Sequence, residues 1–240
     1  MSSVRIVGDA ASCGLATKVN DALNAAVAKT DLNPDIGIYS IDGMSGKKYR
    51  YFINQLVGSL DDPRYLEVGS WMGSTLCSAI HGNKVRATAI DNWSEFGGPK
   101  DAFMTNVRNF ITPEANVTFI ESDFRAIDYT RLPHTFNIYL FDGPHEAADQ
   151  YDGLALALSC LDDYFIFIVD DWNWEKVRDG TLAAITKCEL GVLYAAAIRT
   201  TDHGGSPAHI LPVKDWRTVR DFDWHNGYFI AVLAKPSFYK

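Results

Sequence analysis

Two apolar runs in this chain end in side chains that could do chemistry. FNIYLFDGPHE stops at Asp142, and His145 follows three residues later; YFIFIVDDWN ends in the tandem pair Asp170-Asp171. An imidazole exchanges a proton near neutral pH, so His145 suits a general base or a substrate donor. It equally suits a cap on a helix beginning at Glu146, or packing beneath the loop. Carboxylates gathered at one point repel unless they are protonated or matched by a cation. All-oxygen ligands suit a hard divalent ion such as Mg²⁺, Ca²⁺ or Mn²⁺. The competing use of Asp142, Asp170 and Asp171 is hydrogen bonding or helix capping. Asp142 could also take a proton itself, and the sequence does not separate that role from His145. A further pair, Asp162-Asp163, precedes its apolar run instead of ending it and reads as a solvated turn.

A second constellation lies upstream. LEVGSWMGST places Glu67, Gly69, Ser70, Gly73 and Ser74 at a strand-to-helix transition. Glycines there let the main chain approach a ligand, and a helix start supplies unpaired N–H groups. The spacing is GxxxG after an acid, not the GxGxxG of dinucleotide folds, and no Gly-Lys-Ser/Thr phosphate loop is present. The next run ends in Asp91-Asn92-Trp93. A carboxylate at a strand end can accept from both ribose hydroxyls, and an aromatic neighbour can pack on a base. The one after ends in Asp123-Phe124. Each acid alone is as readily a loop or cap residue. Together, at successive strand ends, they favour a nucleoside pocket.

The elements that must position these residues alternate. Short apolar runs at 64–69, 85–91, 116–122, 136–142 and 164–171 read as strands, separated by helical patterns at 74–82, 101–111, 146–161 and 174–187. Runs without strict polar alternation, set between helices, fit a mostly parallel sheet covered on both faces. Further strands are expected at 191–200 and 228–234. Residues 1–45 read as a lead-in, with an alanine-rich helix at 14–30 and a loop at 31–46, and 47–60 reads as another helix. The polar stretch 201–227, bearing His203, His209, His225, Trp216 and Trp224, reads as a lid, an oligomer element or a surface excursion. Its histidines lack a zinc spacing and read as surface or structural.

Composition narrows the class. The chain has 240 residues with 47% apolar content, enough for one sizeable α/β domain. Net charge is −8, which disfavours nucleic acid or anionic membrane as the main partner. Cys13, Cys77, Cys160 and Cys188 form no CxxC pair and read as thiols in a reducing compartment. With no apolar run of membrane-spanning length and no leader pattern, a soluble cytoplasmic protein is expected. Self-association into a homo-oligomer is left open.

These motifs together resemble the class I S-adenosylmethionine-dependent methyltransferases, over roughly residues 39 to 234. Glu67, Gly69, Ser70, Gly73 and Ser74 match the first cofactor motif, Asp91 the ribose-binding acid with Asn92 and Trp93 beside it, and Asp123-Phe124 the adenine region. Ser45 and Asp142 fall where relatives line the cofactor pocket. The resemblance implies a Rossmann-like methyltransferase fold, α/β, with a mostly parallel seven-stranded sheet and helices on both faces. The domain would span 46–240 with an insertion at 201–227. In that sheet the strands ending at Asp142 and at Asp170-Asp171 are neighbours, so their carboxylates would converge on an ion. LFDGPH…IVDDWN further resembles metal-dependent small-molecule O-methyltransferases, including those acting on macrolide sugars. Catechol-type relatives usually carry Asp-Asn where Asp170-Asp171 stands, which points to a sugar or other vicinal hydroxyl acceptor. The expected function is methyl transfer to a hydroxyl of a small metabolite, with His145 or Asp142 as base. The alternatives are a metal-independent methyltransferase and a catalytically inactive nucleoside-binding or interaction protein.

Overall fold

A computed structural model describes residues 2–200 and 223–239. Among them eight strands form one sheet: β1 (Ser2–Gly8), β2 (Arg64–Val68), β3 (Arg86–Asp91), β4 (Asn116–Glu121), β5 (Phe136–Phe141), β6 (Leu161–Val169), β7 (Gly191–Thr200) and β8 (Tyr228–Ala234). Their spatial order is β1-β7-β8-β6-β5-β2-β3-β4. The pairs β2–β3, β2–β5, β3–β4 and β5–β6 are parallel; β6–β8, β7–β8 and β1–β7 are antiparallel. The expected seven strands are all present. The eighth is β1, in the segment read as a lead-in. Val4, Ile6 and Val7 give it strand character, but every residue of β1 is exposed, so it carries no amphipathic signature.

The helices are α1 (Gly14–Ala28), α2 (Lys47–Ser59), α3 (Ser74–Ile80), α4 (Lys100–Phe110), α5 (Ala147–Ala157), α6 (Glu175–Lys187) and the short α7 (Pro236–Tyr239). They cover both sheet faces. On one, Phe52, Leu56 and Leu76 pack with Ile166, Ile168 and Ile230. On the other, Leu154, Val177 and Ile185 pack with Phe165, Phe167 and Val169. Successive β6 residues thus enter opposite cores, which is why Tyr164–Val169 reads as an almost continuous apolar run. Each large side chain so buried contributes about 1.5–3 kcal/mol.

Several local expectations shift. β6 begins at Leu161, so Asp162 and Asp163 lie within the strand. Asp162 is no solvated turn residue: it takes a two-pronged bond from the Arg64 guanidinium at 3.0 and 2.6 Å and another from Thr135. Glu146 caps α5 in a reciprocal capping box with Asp149, which frees His145 from that role. Of the stretch 201–227, residues 201–222, with His203, His209 and Trp216, lie outside the described residues. Residues 224–227 form a turn into β8, closed by Gly227 N donating to Trp224 O at 2.8 Å.

The loop ahead of α2 is built around a buried arginine. Arg50 is fully buried and donates to the carbonyls of Ile38 (2.9 Å), Ile41 (2.8 Å) and Ser45 (3.1 Å), and to Ser45 Oγ (3.0 Å). A guanidinium has enough donors to tie several carbonyls of an otherwise irregular segment at once. Among the described residues no helix is long and apolar enough to cross a membrane.

Candidate cofactor and metal site

The parallel strands β2 to β6 end at a common edge, and a cleft of about 270 Å³ opens there. Its floor is a close meeting of main chains. Gly69 N donates to Ile90 O and Asp142 N to Val68 O, each at 2.9 Å. Gly69 adopts a left-handed φ of +86°, and a Cβ there would lie 1.8 Å from the Asp142 carbonyl oxygen. No other residue type fits this position, so the floor stays open to a ligand.

Asp91 projects from the end of β3 into the cleft. Its Oδ2 accepts from Trp71 N at 2.7 Å and its Oδ1 from Trp93 N at 2.6 Å. The two amides fix the carboxylate and leave a lone pair on each oxygen for a diol such as a ribose. The Trp93 ring turns away: it packs 5.2 Å from Phe103, and its Nε1 donates to Trp71 O at 2.9 Å. The aromatic walls of the cleft are instead Trp71, Phe96 and Phe124. Phe124 stands edge-on to Phe141, and Asp123 beside it accepts from Arg125 N at 2.8 Å.

Glu67 lies below this surface, fully buried. The Tyr65 hydroxyl donates to its Oε2, while its Oε1 has no aligned donor among the described residues. Burial raises its pKa to about 7, against the pull of the Tyr65, Ser70 and Thr75 hydroxyls, which lie close without completing a bond to Oε1. An orphaned buried carboxylate oxygen beneath a glycine cradle fits a cationic ligand group such as the amino-acid end of S-adenosylmethionine. Ser45 and Ser74 hold each other at 2.8 Å and bind the Arg50 loop to α3.

On the other side of Gly69 the acids gather. Adjacent strand residues point to opposite faces, so Asp170 and Asp171 could not both face the cleft from a regular strand. The chain leaves the sheet here: Asp171 takes a φ of 55°, and its N–H donates to Asp170 Oδ1 at 2.7 Å. Asp142, His145 and Asp171 then each offer a ligand atom within 4.8 Å of the others, and so do Asp170, Asp171 and His225. Burial, then the neighbouring carboxylates, pushes the Asp142 and Asp170 carboxyls well above the usual range. Burial also opposes the charge on Asp171, but His145 with its charge and contact, His225 and Asn226 bring its pKa down to about 2. His145 Nε2 lies 2.7 Å from Asp171 Oδ2 without an aligned hydrogen bond. Burial lowers the His145 pKa and Asp171 more than offsets this, leaving it raised. Convergent, mutually repelling carboxylates with imidazoles at their margin fit a divalent cation.

Of the residues singled out in the sequence, Gly69, Asp91, Asn92, Asp123, Phe124, Asp142, His145, Asp170 and Asp171 line the cleft. Glu67, Ser70, Gly73, Ser74, Ser45 and Trp93 stand behind that surface. Gly73, at φ +81°, ends the turn before α3, where a Cβ would meet the Phe103 ring at 3.0 Å. Trp71, Phe96 and Asn226 line the cleft without having stood out in the sequence, and His225, expected to be surface or structural, lines it too. It is 9% exposed and faces the acids. The signal for it was the Asn226-Gly227 turn just ahead of the last strand, which returns the chain to the edge where β6 ends.

Residues 66–172 match the profile of a family described as "Methyltransferase domain". No curated protein gives a significant sequence match. The chain is similar in structure to the O-methyltransferase TomG from Streptomyces achromogenes, involved in tomaymycin synthesis and solved with S-adenosylmethionine. That likeness has a TM-score of 0.56 at 11% identity, covering 90% of this chain and 89% of the other. It is likewise similar to an O-methyltransferase from Bacillus cereus in complex with S-adenosylhomocysteine, with a TM-score of 0.51 at 14% identity and 90% of each chain covered. A Streptococcus mutans protein described as a candidate S-adenosylmethionine-dependent methyltransferase gives a TM-score of 0.50 at 12% identity; 78% of this chain matches, and it spans 48% of that one. Residues 66–172 match a methyltransferase-domain family, and the chain has the Rossmann-like fold of these solved methyltransferases.

Proposed function

We propose that the chain is a divalent-metal-dependent O-methyltransferase that moves the methyl group of S-adenosylmethionine to a hydroxyl of a small metabolite, with a sugar or other vicinal hydroxyl compound as acceptor. The observation that carries this reading is the meeting of Asp142, Asp170 and Asp171 in the same cleft as Asp91 and Gly69. S-adenosylmethionine supplies an electrophilic methyl, and a divalent ion supplies a Lewis acid that acidifies a neighbouring hydroxyl. Asp91 holds the ribose diol, Gly69 admits the cofactor's amino-acid end above Glu67, and Asp123 with Phe124 borders the base. Asp142, Asp170 and Asp171 hold the ion. His145, steadied edge-on by Trp174 with ring centres 4.7 Å apart, stands at Asp171 as the base for the acceptor's proton. The chain's main contribution is alignment of acceptor oxygen, methyl and base.

The test measures binding and turnover separately. S-adenosylhomocysteine binding is followed by calorimetry, and transfer of labelled methyl is followed across a panel of sugars and other hydroxylated acceptors, with Mg²⁺ or Mn²⁺ and with chelator. Transfer that chelator stops, and that Asp170→Asn abolishes while cofactor affinity stays within a few-fold, is the expected result. Chelator-insensitive transfer would replace this reading with metal-independent chemistry. Binding without transfer to any acceptor would replace it with a nucleoside-binding protein.

A further inference from the structure

The metal reading above starts from three carboxylates, but the donors brought together in the cleft are not all oxygen. We infer that His225 is a ligand to the ion, beside Asp170 and Asp171. The site is then a mixed oxygen–nitrogen centre that takes a first-row transition ion, such as Mn²⁺ or Fe²⁺, in preference to Mg²⁺. This inference rests on the metal reading and narrows it.

Three observations support the assignment. The ligand atoms of Asp170, Asp171 and His225 lie within 4.8 Å of one another. Donors bound to one ion at about 2.0–2.2 Å sit about 4.4 Å apart or less, so the group needs only a small contraction to close. His225 is also placed by contacts that do not involve the ion. Thr200 Oγ1 donates to its carbonyl at 2.6 Å, and Asn173 N donates to the carbonyl of Asn226 at 2.9 Å. Asn173 in turn is tied to Thr200 O at 3.0 Å, so β7, the segment after β6 and the turn into β8 are locked together. Finally, His225 is only 9% exposed and lines the same cleft as the carboxylates.

Around this imidazole the carboxylates already have outer partners. Asn226 Nδ2 donates to Asp171 Oδ1 at 2.7 Å, and Tyr228 Oη donates to Asp170 Oδ2 at 3.4 Å. Such bonds set the direction of a ligating carboxylate. All four residues from Trp224 to Gly227 belong to the tight turn ahead of β8, so one turn delivers both an imidazole and an orienting amide. His145 lies against Asp171 Oδ2, while Asn226 holds Oδ1, and remains the base. Imidazole strengthens binding of Mn²⁺, Fe²⁺ and Co²⁺ far more than that of Mg²⁺, which favours carboxylate, carbonyl and water.

The test loads the full chain with Mn²⁺ and S-adenosylhomocysteine and reads nitrogen couplings to the manganese by pulsed electron paramagnetic resonance. Protein with natural-abundance histidine is compared with protein grown on ¹⁵N-histidine. A ¹⁴N coupling that becomes ¹⁵N on labelling, persists in His145→Gln and disappears in His225→Gln is the expected result. His225→Gln should also lower Mn²⁺ affinity roughly 10–100-fold and Mg²⁺ affinity less. The wild-type labelling comparison stands even where a variant fails to fold. Bound Mn²⁺ without histidine coupling overturns the inference and leaves an all-oxygen metal site. Coupling lost in His145→Gln alone overturns it in favour of the other imidazole. Cofactor binding with no Mn²⁺ uptake overturns the metal part of the proposed function as well.

Discussion

Asp91 is held at both oxygens by main-chain amides before any ligand arrives, so its contribution to binding is one of charge and preset direction. Asp91→Asn removes the charge and turns one acceptor into a donor. Charge-assisted bonds contribute about 1.5–3 kcal/mol, so calorimetry should show S-adenosylhomocysteine affinity falling roughly 10–100-fold, with a lower melting temperature as well because one main-chain amide loses its acceptor. Glu67 makes a different demand. Burial raises it from 4.5 to about 7, so between those values the folded chain keeps a proton that the unfolded chain has released. Stability must therefore fall as pH rises through that window and level off above it, a loss on the order of 3 kcal/mol. Urea unfolding at pH 5 and pH 8 should show a loss smaller by about this amount in Glu67→Gln than in the wild type, because the raised Asp142 and Asp170 contribute to both. Equal losses in the two proteins would show that the Glu67 carboxylate is not held neutral by burial.

Among the elements, the loop ahead of α2 depends most on one side chain. Met44, in that loop, lines the cleft, while Arg50 beneath it ties the carbonyls of Ile38, Ile41 and Ser45. Arg50→Met keeps the bulk but leaves those carbonyls buried and unpaired, at about 1–3 kcal/mol each when relaxation cannot expose them. The melting temperature and the cofactor affinity should fall together, because the same loop carries Met44. Affinity unchanged in a destabilised variant would separate the loop from the pocket. The elements also show how far the sequence could be read. Strands β2 to β6 announce themselves because burial on both faces writes unbroken apolar runs. Acids at their ends stand out against those runs, and their recurrence at successive strand ends is what separates a pocket from a set of caps. β1 was illegible because an exposed edge strand is held by main-chain bonds to β7, which leave no mark on side-chain pattern. For His225 the sequence marks only a turn, at Asn226-Gly227. Its approach to Asp171 is made by a turn 54 positions away, and spacing along the chain does not encode that contact.

At the scale of the whole molecule, cleft and N-terminal edge are at a distance. The cleft forms at the ends of β2 to β6 and the start of β8, whereas β1 is the outermost strand beyond β7. Its Ile6 and Val7 are 48% and 55% exposed, so its removal uncovers little apolar surface. A chain lacking residues 1–8 should bind S-adenosylhomocysteine within about two-fold of the full chain. A loss of about 1 kcal/mol would lower its melting temperature by only about 2–4 °C. A large fall in affinity would mean that β1 supports the cleft through the sheet.

The sheet order has a consequence for how the chain is made. β8, near the C-terminus, lies between β6 and β7, so β7 has no place in the sheet until β8 has inserted, and β1 has none until β7 is there. On a ribosome β1 emerges before the other seven strands and is the last of them to be docked. Residues 2–8 wait through synthesis of nearly the whole domain as an unpaired, β-branched segment, the kind that other nascent chains can capture. The turn bearing His225 and Asn226 arrives in the same closing step. The proposed metal donors and β1 are therefore completed together, and a stalled or truncated product would carry both an open sheet and an unfinished site.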